Sequence, residues 1–327
     1  MNNMKACVTG ASGFIGRHLI RVLCEQGYTV AALSRKEQVD FPSEVRIIKG
    51  DLISESCELE RFLESCDVLF HCAGEIRDDS KMAALHIDGT QNLVNVALTK
   101  IQETQRNIHW VQLSSVGVYG PVEGESNKDR TVTEQSPIKP RGHYEVTKAV
   151  SDGIVTKASE RAGFTYSIVR PSNVIGEGMP NSSLKNLAKI IKKGFFTYIG
   201  KKGAISTYVH IDDVINLLVT CAEDVRARGE VFNISNDCLL EDVVNSVADE
   251  MGAKRPKLSL PESLVRVSQK FISKLTYIPL SEQGINVLTS RTIYPYTKLQ
   301  KCLDYKPKIS IAKSIGNIVV KELSEQG

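Results

Sequence analysis

A chain of 327 residues, 42% hydrophobic and 24% charged, has the make-up of a soluble, core-forming protein of two-domain size, which excludes the disordered and fibrous classes. A net charge of +3, scattered along the chain, excludes a nucleic-acid footprint. No apolar run reaches the roughly 18 residues of a membrane span. The eight cysteines form no Cys-x-x-Cys pair, and several sit in apolar strand contexts (Cys7 in KACVTG, Cys72 in LFHCAG). They are expected to be buried free thiols, so the protein is expected in the cytoplasm, with no structural metal, no nucleic acid and no membrane among its partners.

In chain order, KACVTG (5–10) predicts a strand and GRHLIRVLCEQG (16–27) an amphipathic helix closed by Gly27. YTVAALSR (28–35), VRIIKGDL (45–52), DVLFHCAG (67–74) and IHWVQLSS (108–115) predict four further strands. The stretch 84–103 carries Leu93, Val94, Ala97 and Leu98 at helical spacing, 144–163 predicts another helix, and FTYSIVRP (164–171) a strand. Strands alternating with helices imply right-handed crossovers, hence an α/β fold: a Rossmann-type, doubly wound parallel sheet. The polar loop from Gly120 to Pro140 is long enough to imply a functional role or mobility. Beyond Gly176 the alternation becomes irregular. The expected organisation is a dinucleotide-binding domain over 1–175, to which 205–235 returns, and a smaller C-terminal substrate-binding lobe over 176–327.

TGASGFIG (9–16) joins the first strand to a helix: Gly10 permits the tight turn, Gly13 lets backbone approach a pyrophosphate, and Gly16 lets the helix pack close to the sheet. Asp51 follows the third strand, where a carboxylate either reaches an adenine amino group or caps the next helix. Tyr144 and Lys148 in YEVTK lie four apart on one helix face, a spacing at which the ammonium is expected to lower the phenol's pKa from about 10. Ser115, in SSVGVYG, stands at the end of the preceding strand, where its hydroxyl is suited to polarising a carbonyl.

These motifs, with RPSNVIGEG (170–178) and YVHIDDV (208–214) in the same order, resemble the extended short-chain dehydrogenase/reductases, the NAD(P)-dependent epimerase/dehydratase (nucleotide-sugar) family. That branch holds nucleotide-sugar epimerases, dehydratases and 4-ketoreductases, with steroid-type and dihydroflavonol-type reductases. The resemblance implies Ser115, Tyr144 and Lys148 as the catalytic set, Tyr144 being the general acid/base. It implies cofactor contacts from Gly10, Ser12, Gly13, Phe14, Ile15 and Gly16, from Ser34, Arg35, Asp51, Leu52 and Ala73, and from Tyr144, Lys148, Pro171 and Val174. Asn173 matches an asparagine near the substrate phosphates, and Arg291 is a candidate anion ligand. No metal is implied.

Three departures carry information. NAD-using members place an acidic residue at the end of the second strand; here Ser34 and Arg35 stand there, so NADP is expected rather than NAD. His86 replaces an asparagine that organises a proton-relay water, and reads as a structural histidine at a helix bend. Ser206 replaces an arginine that grips substrate diphosphate. The expected activity is NADP-dependent reduction of a keto group, with a nucleotide-sugar intermediate as substrate. The alternatives are an epimerase with tightly held NAD, a reductase of steroid- or flavonol-like ketones, and a non-catalytic NADP-binding protein. The resemblance implies a homodimer through a helix bundle that includes the Tyr–Lys helix, where Ile154, Val155 and Ala158 are apolar and suit either that interface or the core.

Overall fold

The computed structural model describes residues 4–36, 40–54, 57–121, 128–180, 182–272 and 282–324. Seven strands form the main sheet: β1 (Lys5–Thr9), β2 (Thr29–Ser34), β3 (Arg46–Lys49), β4 (Val68–His71), β5 (Ile108–Leu113), β6 (Phe164–Pro171) and β7 (Glu230–Ile234). Every pairing is parallel, and the order is β7-β6-β5-β4-β1-β2-β3. The chain winds one way from β1 to β3, then returns to β4 on the other side of β1. The loops leaving β1 and β4 therefore diverge and open a crevice at the carboxyl ends of the strands.

A sheet covered on both faces needs strands that are apolar throughout, and β4 and β5 are buried at every position. On one face the helix Phe14–Glu25 presents Gly16, Leu19, Ile20 and Leu23 to the sheet, the i, i+3, i+4, i+7 stripe of an amphipathic helix. The helix Ile211–Glu223 joins that face, as do Leu299 and Leu303 of the helix Thr297–Leu303. The other face is covered by the helices Gly89–Thr104 and His143–Ala158 around Trp110 and Leu93. A second core, including Leu184, Ile191, Val243, Val247, Ile315 and Val319, gathers the helices Ser182–Lys192, Leu240–Glu250 and Ile311–Ser324.

Two sequence expectations change here and one open reading is decided. Within the 120–140 loop, Asp129–Thr131 is a short strand paired in parallel with Arg291–Ile293; positions 122–127 lie outside the described residues. On the Tyr–Lys helix, Val155 and Ala158 belong to the core and Ile154 packs against it, the second of their two sequence readings; the exposed apolar side chains there are Val146 and Val150. Residues 84–103 do not form one regular helix. A π-helical turn, Ala84–Asp88, precedes Gly89–Thr104 and carries His86. Among the described residues no helix is long and apolar enough to cross a membrane.

Candidate active site

The loop after β1 is shaped by close backbone approach. Gly10 has φ +65°, and a Cβ there would lie 2.5 Å from the Cys72 carbonyl carbon and 2.6 Å from the Ala73 nitrogen, so any side chain would push β1 and β4 apart. A Cβ on Gly16 would strike the Gly10 carbonyl oxygen. The Gly13 N–H donates to Gly10 O (2.9 Å), and Gly13 caps the helix Phe14–Glu25 with no side-chain hydrogen bond. No acidic residue occupies the helix's first turn. Ser12 and Gly13 are exposed, with Phe14 and Ile15 partly so. Uncapped amides at the positive end of a helix dipole, beside a glycine cradle, are suited to a pyrophosphate.

At the end of β2, Ser34 is buried and its hydroxyl accepts the Lys36 N–H (3.1 Å), folding the chain so that Arg35 and Lys36 stand exposed. Arg35 makes no hydrogen bond or ion pair among the described residues. Asp51 accepts the Ile53 N–H (3.3 Å) in a turn, so of its two sequence readings the helix cap is replaced by a turn. Leu52 and Ala73 are buried beside it and at the end of β4.

Ser114 and Ser115 follow β5 side by side but face different ways. Ser114 Oγ donates to Asp152 Oδ2 (2.8 Å) in the interior, whereas Ser115 Oγ accepts the Gly117 N–H (3.0 Å) and acts on the Tyr144 phenol. Tyr144 lies in the first turn of the helix His143–Ala158, whose N-terminus is fixed by Glu145 accepting the Arg141 N–H (2.9 Å) and the Gly142 N–H (3.1 Å). One turn on, Lys148 is buried and its ammonium donates to the main-chain oxygens of Leu113 (3.0 Å) and Ala73 (3.4 Å). Sequence order thus scatters Ser115, Tyr144 and Lys148, and the sheet brings them to one strand end.

The electrostatics differ from expectation. Tyr144 is pushed up to about 12, by burial first and then by the Asp152 carboxylate, against the Ser115 hydrogen bond. The expected lowering by Lys148 is therefore corrected: the ammonium is turned to two carbonyls, and burial of the phenol dominates. Burial lowers Lys148 from the ordinary lysine value, with Asp152 and Cys72 opposing.

His86 fills its place as a structural group. Nε2 accepts the Glu75 N–H (2.8 Å), so the proton sits on Nδ1, which donates to Thr147 Oγ1 (2.7 Å). Its ring meets Tyr144 edge-on at 5.7 Å, and burial followed by Lys148 holds it at about 3, neutral at working pH. Neither ring nitrogen is left for a relay water.

Asn173 is exposed and donates to Thr207 O (3.1 Å), and beside it Pro171 is buried while Val174 is half-buried. Arg291 lines a cavity of about 580 Å³ with Ile199, Lys201, Ser259, Glu262 and Thr289, its Nε paired to Asp129 (2.7 Å) and Nη1 donating to Lys202 O (3.1 Å). Neither Asn173 nor Arg291 hydrogen-bonds to Ser115, Tyr144 or Lys148 among the described residues. The sequence reading missed Asp152 and its partner Arg170, both buried, although Asp152 continues the spacing of Tyr144 and Lys148 by one more turn.

The sequence model of the NAD dependent epimerase/dehydratase family matches residues 6–235. A 3beta-hydroxysteroid-dehydrogenase/decarboxylase of Arabidopsis thaliana is 25% identical over 94% of this chain, which spans only 60% of that protein's length. The bifunctional dihydroflavonol 4-reductase/flavanone 4-reductase of Malus domestica is 28% identical, over 78% of this chain and 77% of its own. Among solved structures, the UDP-glucuronic acid 4-epimerase of Bacillus cereus in complex with NAD superposes with a TM-score of 0.74 at 21% identity, covering 98% of this chain and 99% of that one.

Proposed function

Because the chain belongs to the NAD dependent epimerase/dehydratase family, whose members are enzymes built on this extended short-chain dehydrogenase fold, we propose that it is an NADP-dependent reductase of a keto group on a nucleotide-sugar intermediate. The observation that carries the cofactor half is the end of β2, where a buried Ser34 stands in place of a carboxylate, turns the chain and presents Arg35. The glycine cradle and the uncapped helix at Phe14 fit the pyrophosphate, Lys148 the nicotinamide ribose, and Pro171 and Val174 the nicotinamide end. When bound, the nicotinamide supplies the hydride. Ser115 and Tyr144 hydrogen-bond the substrate oxygen as negative charge builds there, and Tyr144 gives up its proton to it. A phenol held protonated by burial suits proton donation, the direction of ketone reduction. The sugar-nucleotide half is supported by the fold shared with the Bacillus UDP-sugar epimerase and by Asn173, with Arg291, which lines a cavity of its own, as candidate anion ligand. Seven cysteines are free thiols, which fits a reducing cytosol, and the exposed Val146 and Val150 fit a homodimer.

Fluorescence titration with NADPH and NADH side by side tests the cofactor, with NADPH expected to bind far more tightly. Preference for NADH moves an NAD-holding epimerase to first place. Tyr144→Phe is expected to lose nearly all turnover of a 4-keto sugar nucleotide while still binding NADPH, and unchanged turnover refutes the mechanism. A second reading, reduction of a hydrophobic ketone, is favoured by Ser206 and by the likeness to the steroid and dihydroflavonol enzymes. Turnover of a flavanone or steroid ketone with none of the sugar nucleotide selects it.

A further inference from the structure

Arg291 opens the short strand Arg291–Ile293, which pairs in parallel with Asp129–Thr131 in a register that sets Arg291 opposite Asp129. Its Nε donates to Asp129 Oδ1 (2.7 Å) and its Nη1 to the Lys202 carbonyl oxygen (3.1 Å). Gly203 lies against the guanidinium: a Cβ there would be 3.1 Å from Nη1 and 3.2 Å from Nη2. Nη2 makes no hydrogen bond among the described residues. The contact with Asp129 is one N–H to one oxygen, short of the two-point fork that a guanidinium makes with phosphate.

This pair links the cavity to the turn that carries Ser115. Next to Asp129, Arg130 donates to the carbonyl oxygens of Gly120 (2.9 Å) and Tyr119 (3.1 Å), at the end of the turn that Ser115 caps. Just past the Arg291 strand, Tyr294 packs against Val116, Val118 and Tyr119 of the same turn. Arg291 itself lines the cavity with Lys201, Ser259 and Thr289, and the carboxylate in that lining, Glu262, is tied to Arg266 (2.8 Å). Asp129 is thus the carboxylate set on the cavity's arginine. Its side chain is 86% exposed, against 32% for Arg291, and its carboxylate has no other partner among the described residues. An ion pair so exposed is weak and gives way to a better anion.

We propose that Asp129 is a specificity-determining residue: it occupies Arg291 as an internal carboxylate and is exchanged for the diphosphate of the substrate. The exchange selects by charge. A diphosphate brings more than one negative charge and engages the guanidinium through two oxygens, so it displaces a carboxylate held at one point, whereas an uncharged group leaves the pair in place. Asp129 shares its strand with Arg130, so the exchange takes place one residue from the side chain that holds the Ser115 turn. The inference rests on the reading of Arg291 as anion ligand and deepens it by naming the group that the anion must displace.

The test is a double-mutant cycle, read by calorimetric titration with UDP in the presence of NADP, on the native sequence, Asp129→Asn, Arg291→Gln and the double variant. Asp129→Asn is expected to bind UDP about two- to five-fold more tightly, with a gain that shrinks as salt is raised. Arg291→Gln is expected to bind UDP more weakly, and adding Asp129→Asn to it to bring no gain. Melting temperature and NADPH affinity are expected to stay unchanged in Asp129→Asn, which separates competition at Arg291 from a structural role. Weaker UDP binding by Asp129→Asn would mean that the carboxylate orients Arg291 instead of competing for it, and overturns the proposal. An equal gain with Arg291 replaced would mean general repulsion, and overturns it too. Unchanged affinity in Asp129→Asn beside weakened affinity in Arg291→Gln overturns this inference alone. Arg291→Gln without effect, or no UDP binding by any of the four proteins, overturns the underlying reading of Arg291 as well.

Discussion

Arg35 shows how much one side chain decides. It follows a strand whose last residue, Ser34, spends its hydroxyl on the Lys36 amide, so the guanidinium is presented outward by the turn itself. A charge-assisted pair with phosphate contributes about 1.5–3 kcal/mol. Arg35→Asp is therefore expected to weaken NADPH binding by roughly 10- to 100-fold and to narrow or reverse the preference over NADH, read by fluorescence titration. Equal loss for both cofactors would mean that Arg35 acts on the fold rather than on the phosphate. Arg35 was legible from sequence because its position depends only on where β2 ends. Asp152 was not, because its partners come from elsewhere in the chain, Ser114 from just past the end of β5 and Arg170 from β6. The ordinary lowering of a phenol by a neighbouring lysine also failed as a guide, since four-residue spacing says nothing of where the ammonium turns.

At the scale of elements, the alternation of buried strands and amphipathic helices was readable because parallel strands covered on both faces leave long apolar runs. The π-helical turn at Ala84–Asp88 was not, because its helical spacing looks continuous and the cause is tertiary. His86 joins three segments: it accepts from Glu75 in the loop after β4 and donates to Thr147, whose hydroxyl also contacts the His143 carbonyl (2.9 Å) in the first turn of the Tyr–Lys helix. Thr147→Val leaves the Nδ1 proton without an acceptor, an expected cost of about 1–3 kcal/mol in unfolding free energy. The loosened first turn of the helix carries Tyr144, so turnover is expected to fall several-fold with cofactor affinity little changed. Thr147→Ser, which keeps the hydroxyl, is expected to restore both. If the serine variant behaves like the valine variant, packing of the methyl and not the hydrogen bond holds the turn.

Across the whole molecule, three imidazoles are buried at junctions between layers. His71 bridges Thr9 and Thr90, His86 bridges Glu75 and Thr147, and His109 bridges Thr165 and the Cys221 carbonyl. Burial lowers all three, His86 to about 3, His109 to about 4, and His71 well below the ordinary value. An imidazole whose folded pKa is depressed contributes stability that is complete above the unfolded value of about 6.5 and is lost as pH falls toward the folded value. At about pH 5 each neutral buried histidine has given up about 2 kcal/mol relative to an unfolded chain that binds the proton. Burial raises Asp237, to about 6, and Asp152, and these acids act in the opposite sense, gaining stability as pH falls. The histidines are isolated by comparison rather than by the total. Unfolding free energy is expected to fall between pH near 7.5 and pH near 5 in the native sequence, and His86→Gln, neutral throughout, is expected to reduce that fall by about 2 kcal/mol whatever its absolute stability. An equal fall in both proteins would mean that His86 takes up its proton in the folded state, and the acid sensitivity would then have to arise elsewhere.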